Sequence, residues 1–199
     1  MPIINSVISG GGSGGQTIVE RFLTIGSCTV DSNYIASSFS NSDYVRAPFL
    51  LSPSSNSWEV GTKIHTTSSI SGSSAFISVE ESFGITLGTY NAQKDMNVGN
   101  GSHWYSNYAS VNWIDSTIAT DTDYWYKFIF DGSKYSVQRS TDGTTFTEIC
   151  YMNYSSTIAS VTLCFGKGSG SLVQEVDLKQ TYAKVNNTEV WRAVTITQA

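Results

Sequence analysis

Apolar and polar residues alternate with a period of two along most of the chain, and no segment keeps the 3.6-residue apolar period of an amphipathic helix. The clearest region runs from Tyr124 to Cys150 and reads YWYKFIF-DG-SKYSVQRS-TDG-TTFTEIC. Its Asp-Gly dipeptides, 131–132 and 142–143, are hairpin-turn signals, because glycine accepts positive φ and aspartate tolerates it. The region therefore predicts a three-stranded antiparallel meander. One face of its first strand carries Tyr124, Tyr126, Phe128 and Phe130, and the other carries Trp125, Lys127 and Ile129.

Further strand patterns cover the rest of the chain. Residues 172–196 predict a strand pair that turns at Asn186-Asn187, since asparagine also tolerates positive φ. Weaker patterns are TIVERFLTI, DYVRAPFLL, SWEVGTKIHTT, SAFISVEE, FGITLGTY and SVTLCFG, with the polar stretches SPSSNS and KDMNVGNGS predicted as loops between strands. Trp58, Trp125 and Trp191 lie within strand patterns and are predicted core residues. Many short strands joined by polar turns predict an all-β sandwich of two antiparallel sheets.

The first 16 residues have a different pattern. The run GGGSGG at 10–15 is expected to behave as a flexible tether. The nine residues before it lack the basic residues and unbroken apolar core of a secretory signal, and they are too few for a membrane anchor. We predict a docking peptide and tether over 1–16 and one domain over 17–199, with a disordered end or an engineered tag as the alternatives. The apolar residues predicted to dock are Ile3, Ile4, Val7 and Ile8.

Composition narrows the class of protein. Charged residues make up 14% of the chain, against roughly 25% in ordinary globular proteins, and Ser, Thr, Asn and Gly replace them. Such an uncharged polar surface suits extracellular or virion proteins. The net charge of −5 and the lack of any basic run argue against nucleic-acid binding. Three cysteines without a CxxC pair favour buried thiols and folding in a reducing cytosol, although the pairing of two of them stays open.

The segments DYVRAPFLL…SWEVGTKIHTT and TDYWYKFIFDGSKYSVQRSTDGTTFTEI together resemble the concanavalin A-like, laminin-G-like jelly roll, over roughly residues 17–196. The resemblance implies a fold that hosts lectins, hydrolases and structural domains alike. With its apolar leader and glycine tether, the chain also resembles bacteriophage virion accessory proteins, in which the particle holds the N-terminal peptide and displays the domain. We therefore expect a virion-surface protein, made in the host cytoplasm, with other virion proteins as partners and no membrane insertion. Whether it forms a homo-oligomer stays open.

The segment EVDLKQ resembles part of a hydrolase motif. Jelly-roll glucanases of this superfamily carry E-x-D-x-x-E or E-x-D-x-E on one strand, which brings three carboxyl groups to one face. Glu175 and Asp177 match the first two positions and are expected to share a face, but Lys179 and Gln180 occupy the two positions open to the third. A glycosidase needs a carboxylic acid to protonate the leaving group. We therefore expect no enzyme, with Glu175 and Asp177 solvated on an outer face.

A glycan-binding stretch is the stronger candidate. GSHWYSNYASVNWID, residues 101–115, mixes aromatic rings with short polar side chains, as sugar recognition requires. Strand alternation would send one set of these rings into the core, and Trp113 is expected there, so a structural role is favoured for most of the stretch, with carbohydrate binding by its exposed residues as the alternative. The residues we single out for carbohydrate binding are His103, Trp104, Tyr105, Asn107 and Tyr108.

Metal and cofactor signals are weak. The only histidines, His65 and His103, form no zinc motif. Oxygen-rich stretches at 31–33, 41–43 and 121–123 leave calcium open, although such Asp, Asn and Ser groups more often bond their own backbone in turns. The sequence thus favours a non-enzymatic, displayed bacteriophage virion protein (head fibre, decoration or tail-associated) that adheres to glycans and needs no cofactor. A free-standing carbohydrate-binding module, a jelly-roll glycoside hydrolase and a purely structural decoration protein are the alternatives.

Overall fold

The alternating pattern forms β-strands, and the described residues contain no helix. A computed structural model describes residues 17–19, 22–37, 44–48, 51, 57–66, 74–80, 83–90, 93–100, 112–115, 119–153, 162–166, 174–193 and 195–197. The strands are β1 Thr17–Val19, β2 Leu23–Ile25, β3 Thr29–Val30, β4 Ile35–Ser37, β5 Tyr44–Arg46, β6 Trp58–Thr66, β7 Ser74–Glu80, β8 Phe83–Tyr90, β9 Gln93–Asn100, β10 Asn112–Trp113, β11 Thr122–Phe130, β12 Lys134–Ser140, β13 Thr147–Asn153, β14 Thr162–Gly166, β15 Gln174–Val185, β16 Thr188–Arg192 and β17 Thr195–Thr197.

Within the described residues the strands form two large antiparallel sheets and one small one. The nine-stranded sheet has the order β10-β13-β12-β11-β6-β15-β4-β3, with β16 paired to β15. The six-stranded sheet has the order β2-β5-β14-β7-β8-β9, and β1 pairs with β17 separately. Strands distant in sequence are neighbours: β6, for example, lies between β11 and β15. The predicted two-sheet antiparallel jelly-roll sandwich is confirmed.

The core lies between the two large sheets, and the nine-stranded sheet supplies most of it. The predicted grouping of Tyr124, Tyr126, Phe128 and Phe130 on one face of β11 is confirmed, and all four are buried. Each such ring removes roughly 150–250 Å² from water, so this strand anchors the sandwich. The six-stranded sheet contributes buried Val45, Leu163 and Phe165 to the same cluster.

The meander forms with the turns that its sequence predicts. Gly132 and Gly143 adopt φ values of 104° and 74°, in the region that only glycine enters freely. Asp142 closes its turn by accepting the backbone N–H groups of Thr144 at 2.8 Å and Thr145 at 2.7 Å. The predicted turn at Asn186-Asn187 is confirmed too, with both asparagines at positive φ between β15 and β16.

Two predictions were wrong. The stretch from Lys94 to Asn100, predicted as loop, belongs to β9, which pairs with β8 from Phe83–Asn100 to Tyr90–Gln93. Backbone pairing at the sheet edge there overrides the low strand propensity of glycine, asparagine and aspartate. Trp125 is not in the core: it is half-buried on the opposite face of β11 from Tyr124 and Tyr126, because the alternation of that strand assigns the core to its even-numbered positions.

The remaining core predictions concern two other tryptophans and the cysteines. Trp58 is buried in the core, and Trp191 is half-buried and packs against the core with Phe22, their ring centroids 6.0 Å apart. Cys28 and Cys150 are buried thiols. Burial raises the pKa of Cys150 to about 12, which keeps this thiol protonated and unreactive at neutral pH.

Candidate functional site

The three central strands of the nine-stranded sheet carry polar side chains on the face opposite the core. In β6, Ile64 is buried, while Lys63 and His65 on either side of it are only half-buried. The strands β11 and β15 flank β6, and their register aligns two rows of outward residues across all three strands. The first row is Asp123, His65 and Glu175, and the second is Trp125, Lys63 and Asp177.

A groove of about 250 Å³ opens at these rows. β4 lies beyond β15 and supplies an apolar wall through Ile35, the register partner of Asp177. Among its described lining residues, the groove thus combines one aliphatic side chain with ionisable groups from three other strands. We call it the outer groove, and its lining residues are Ile35, Lys63, His65, Asp123, Glu175 and Asp177.

One wall of the outer groove is held by contacts of Lys63 and His65 with Asp123. Lys63 Nζ lies 2.7 Å from Asp123 Oδ2, and His65 Nδ1 lies 3.0 Å from Asp123 Oδ1. The hydrogen bond from Lys63 is the main reason that the pKa of Asp123 is lowered. His65 Nε2 also approaches Asp121 Oδ1, at 3.5 Å, in the exposed turn before β11. The Lys63 ammonium and the His65 ring of this wall therefore already face carboxylates of the protein.

The opposite wall presents carboxylates without cationic partners. Glu175 is exposed, and Asp177 is half-buried with Oδ1 accepting the backbone N–H of Lys179 at 3.1 Å. Within the described part of the chain neither carboxylate forms an ion pair. Their oxygens therefore remain available to accept hydrogen bonds from a ligand. The predicted shared outer face of Glu175 and Asp177 is confirmed.

Two aromatic rings on the same outer face are braced by their neighbours. Trp125 packs against Gly143, and Lys63 Nζ lies 4.9 Å from the Trp125 ring centroid. Tyr182 lies against Gly61, and its hydroxyl donates a hydrogen bond to Glu59. Trp125 is thus connected through Lys63 to the outer groove, whereas Tyr182 stiffens the sheet beside it.

This combination suits a ligand with many hydroxyl groups. Carboxylate oxygens accept and the Lys63 ammonium donates hydrogen bonds, while Ile35 and the nearby indole of Trp125 offer apolar surface for C–H groups. Binding sites generally pair apolar walls with a few convergent polar groups in this manner. The geometry therefore fits recognition of a sugar better than that of an apolar small molecule.

The groove contains a third carboxylate, which comes from a different strand than Glu175 and Asp177. Asp123 joins Glu175 and Asp177 from β11, two strands away, at a Cα spacing of about 10 Å from Glu175 by ordinary strand geometry. It is an unsuitable proton donor, because the contacts with Lys63 and His65 favour its ionised form. The parity of each strand could have placed Lys63 and Asp123 on the outer face, but their register across strands is not written in the sequence.

The residues that the sequence singles out for binding and docking are not among those that the structure describes. The carbohydrate-binding candidates His103, Trp104, Tyr105, Asn107 and Tyr108 are outside the described residues, as is the side chain of Trp113. The docking candidates Ile3, Ile4, Val7 and Ile8 are also outside them. These assignments stay predictions.

The oxygen-rich stretches considered for calcium act in turns and ion pairs where they are described. Asp31 Oδ1 accepts the backbone N–H groups of Asn33 at 2.9 Å and Ile35 at 2.8 Å. Asp123 is engaged by Lys63 and His65, and residues 41–43 lie outside the description. Among the described residues no group of three or more His, Cys, Asp or Glu side chains has the geometry to hold a metal ion.

The sequence matches no protein-family model and no curated protein. Solved structures do match. The exoplasmic/lumenal domain of VIP36, in a Ca²⁺/Man-bound form, has a TM-score of 0.55 and 11% identity, covering 89% of this chain and 90% of that chain. The CBM2 module of the evolved Dit of Lactobacillus casei BL23 phage J-1 has a TM-score of 0.54 and 10% identity, covering 85% and 83%. Peanut lectin has a TM-score of 0.51 and 12% identity, covering 98% and 97%.

At these identities the likeness shows the fold alone. The chain has a concanavalin A-like, legume-lectin-like β-sandwich fold, which agrees with the two-sheet sandwich predicted from the strand pattern and with the concanavalin A-like resemblance. Fold does not decide function, so the outer groove must carry the functional argument. In the described residues no helix has the length and apolar character needed to cross a membrane.

Proposed function

We propose that the chain is a non-enzymatic bacteriophage virion protein, a head fibre, decoration or tail-associated domain, that adheres to glycans through the outer groove. The observation that carries the glycan part is the groove itself: an apolar wall at Ile35 faces hydrogen-bonding groups from β6, β11 and β15. Similarity in fold to a module of a phage Dit, and to lectins, supports the class of protein. Displayed on a particle, the domain belongs to the virion surface after synthesis in the host cytoplasm.

The charge state of the groove supports binding rather than hydrolysis. Of its three carboxylates, Asp123 is held ionised by Lys63 and His65, so it has no proton to give to a leaving group at neutral pH. The other two, Glu175 and Asp177, follow one another on a single strand without the third member of the glucanase motif. Absence of turnover on any glycan that binds is therefore the expected result.

Display supplies affinity that a single groove lacks. An open groove with hydrated carboxylates gains little free energy per sugar, and many copies on one particle convert weak contacts into avidity. In this proposal the residues Ile3, Ile4, Val7 and Ile8 dock on another virion protein, and the glycine run 10–15 lets the domain reorient. A free-standing carbohydrate-binding module would share the groove but would not use the apolar leader.

A glycan array probed with a multivalent form of the domain tests the adhesion, and two variants with no change in net charge locate it. Replacing Lys63 and Asp177 by alanine removes two groove side chains and is expected to abolish most array binding. The control removes Lys134 and Glu148, an ion pair 2.8 Å apart on β12 and β13 of the same sheet, and should bind normally. Loss of binding in a Trp104→Ala, Tyr108→Ala variant alone would move the site to the stretch 101–115. No glycan binding at high valency would refute adhesion.

The same experiment has an anchoring arm. Deleting residues 1–9 should prevent incorporation into particles while leaving array binding by the isolated domain intact. A truncated protein that enters particles at normal copy number would refute the docking peptide. Glycan binding by a domain that never associates with particles would instead support the free-standing module.

A further inference from the structure

The charges of the described residues that line the outer groove do not balance. Three carboxylates, those of Asp123, Glu175 and Asp177, face one lysine ammonium, that of Lys63, and the imidazole of His65. Lys63 and His65 both point their nitrogens at Asp123, at 2.7 and 3.0 Å. The excess of negative charge therefore falls on the opposite wall of the groove, at Glu175 and Asp177.

Among the described residues, little compensates the charge of that wall. Lys179, the next outward position on β15, gives Asp177 its backbone N–H rather than its ammonium group. A metal ion does not fit either, since no set of acidic and histidine side chains in the described chain converges closely enough to ligate one. The carboxylates lie beside aliphatic Ile35 in a space of about 250 Å³, which is large enough for an organic group. A cation for this wall is therefore expected to come attached to a ligand with carbon surface.

We infer that the outer groove selects a glycan that carries a protonated amine, such as an oligomer of an unacetylated amino sugar. Its ammonium group would lie between Glu175 and Asp177, its ring C–H groups against Ile35, and its hydroxyls within reach of Lys63. An ammonium donates to carboxylates in charge-assisted hydrogen bonds, which are stronger than those of a neutral hydroxyl. An anionic glycan would be repelled by the same wall. This inference rests on the proposed glycan binding and names its ligand class.

Direct binding measurements can test the amine. Titration calorimetry in mildly acidic, low-salt buffer, in which the sugar amines are protonated, would compare a glucosamine oligomer, its fully N-acetylated counterpart and an oligolysine of similar charge. We expect the glucosamine oligomer to bind roughly 3- to 10-fold more tightly than the N-acetylated one, as two partly exposed charge contacts permit, and oligolysine to bind more weakly than the sugar. In a Glu175→Gln, Asp177→Asn variant the preference for the amine should disappear. The control Glu189→Gln removes a carboxylate at the exposed end of the same sheet and should keep the preference.

The other outcomes separate two failures. Equal binding of the amine and the N-acetylated oligomer, or an unchanged preference in the Glu175→Gln, Asp177→Asn variant, overturns the amine inference and leaves glycan adhesion standing. Binding of oligolysine as tight as that of the glucosamine oligomer also overturns it, because the sugar then contributes nothing. Binding of no sugar of any kind, here and on the array, refutes the proposed function itself.

Discussion

Single side chains decide how the outer face of the nine-stranded sheet is built. Gly61 leaves a gap in the row between Lys127 and Tyr182, and the Tyr182 ring fills it. The hydroxyl of Tyr182 donates a hydrogen bond to Glu59, whose Oε1 also accepts a hydrogen bond from Lys184 Nζ at 3.1 Å. Burial, followed by the hydrogen bond to Glu59, raises the pKa of Tyr182, so the hydroxyl stays a donor at physiological pH. A glycine is needed here for close approach rather than for an unusual φ.

We predict that Gly61→Ala destabilises the domain by about 1–3 kcal/mol, the usual cost of overpacking. A methyl group at this position would lie 2.5 Å from Cε1 of Tyr182, so the ring must move and its contact with Glu59 is strained. Urea unfolding of Gly61→Ala, Tyr182→Ala and the double variant measures the effect. The double variant should be no less stable than Tyr182→Ala alone, because the ring that clashes is gone. Additive losses would show that the clash is not the cause.

Turns and strand pairing explain which elements the sequence predicts well. The meander of β11, β12 and β13 was predictable because alternation and Asp-Gly turns are local signals, read within a few residues. β9 was missed because its glycines and asparagines favour a loop locally, and only pairing along β8 makes it a strand. Trp125 was wrongly predicted to lie in the core, although the alternation of β11 already places it on the face opposite Tyr124 and Tyr126. The local pattern thus predicts strands such as those of the meander, whereas a strand such as β9 depends on pairing with its neighbour.

The turn between β15 and β16 gives a prediction at the scale of an element. Asn187 has a φ of 63°, a region that costs other L residues roughly 1–2 kcal/mol. We expect Asn187→Ala to lower the free energy of unfolding by about 1 kcal/mol relative to Asn187→Gly, because glycine enters this region freely. Denaturant unfolding of both variants measures the difference. The exposed Asn33, which does not have a positive φ, is the matched control, and Asn33→Ala should change stability by less than about 0.5 kcal/mol. Equal stability of the two Asn187 variants would contradict the prediction.

At the scale of the whole molecule, the fold was predictable and the groove was not. Period-two alternation and regularly spaced turns identify a two-sheet sandwich, and three lectin-like or phage-derived structures share that fold. The outer groove needs the register of β11 against β6 and of β6 against β15, which pairs Lys63 with Asp177, 114 positions further along the chain. Long-range pairing of this kind follows from the packed core and leaves no local signature. The carboxylate pair Glu175 and Asp177 could be recognised in the sequence, whereas the residues that lie beside it in the outer groove could not.

The acidic balance of the molecule leads to a final prediction about pH. Hydrogen bonds lower the pKa of Asp123, mainly through Lys63, and of Asp142, mainly through the backbone N–H groups of Thr145 and Thr144. The pKa of Glu189 is lowered by Arg192. In the unfolded chain the pKa values of these carboxyl groups return to about 4, so the folded state binds fewer protons than the unfolded state in mild acid. Their stabilisation is therefore complete above about pH 4 and is lost as the pH falls through the lower folded values.

We expect the free energy of unfolding to fall steadily below about pH 4 and to fall less steeply in Asp142→Asn. The asparagine carbonyl can still accept the two turn N–H groups, but it has no proton to take up. Urea unfolding at a series of pH values measures the slope, with Glu175→Gln as a control that removes an exposed carboxylate outside any ion pair of the described chain. In strong acid the carboxylates become protonated, and the positive charges of the 11 Lys and Arg side chains then repel one another without opposing negative charge. Both variants are therefore still expected to unfold in strong acid. A slope in Asp142→Asn equal to that of the unmodified protein would exclude this turn as a source of acid sensitivity.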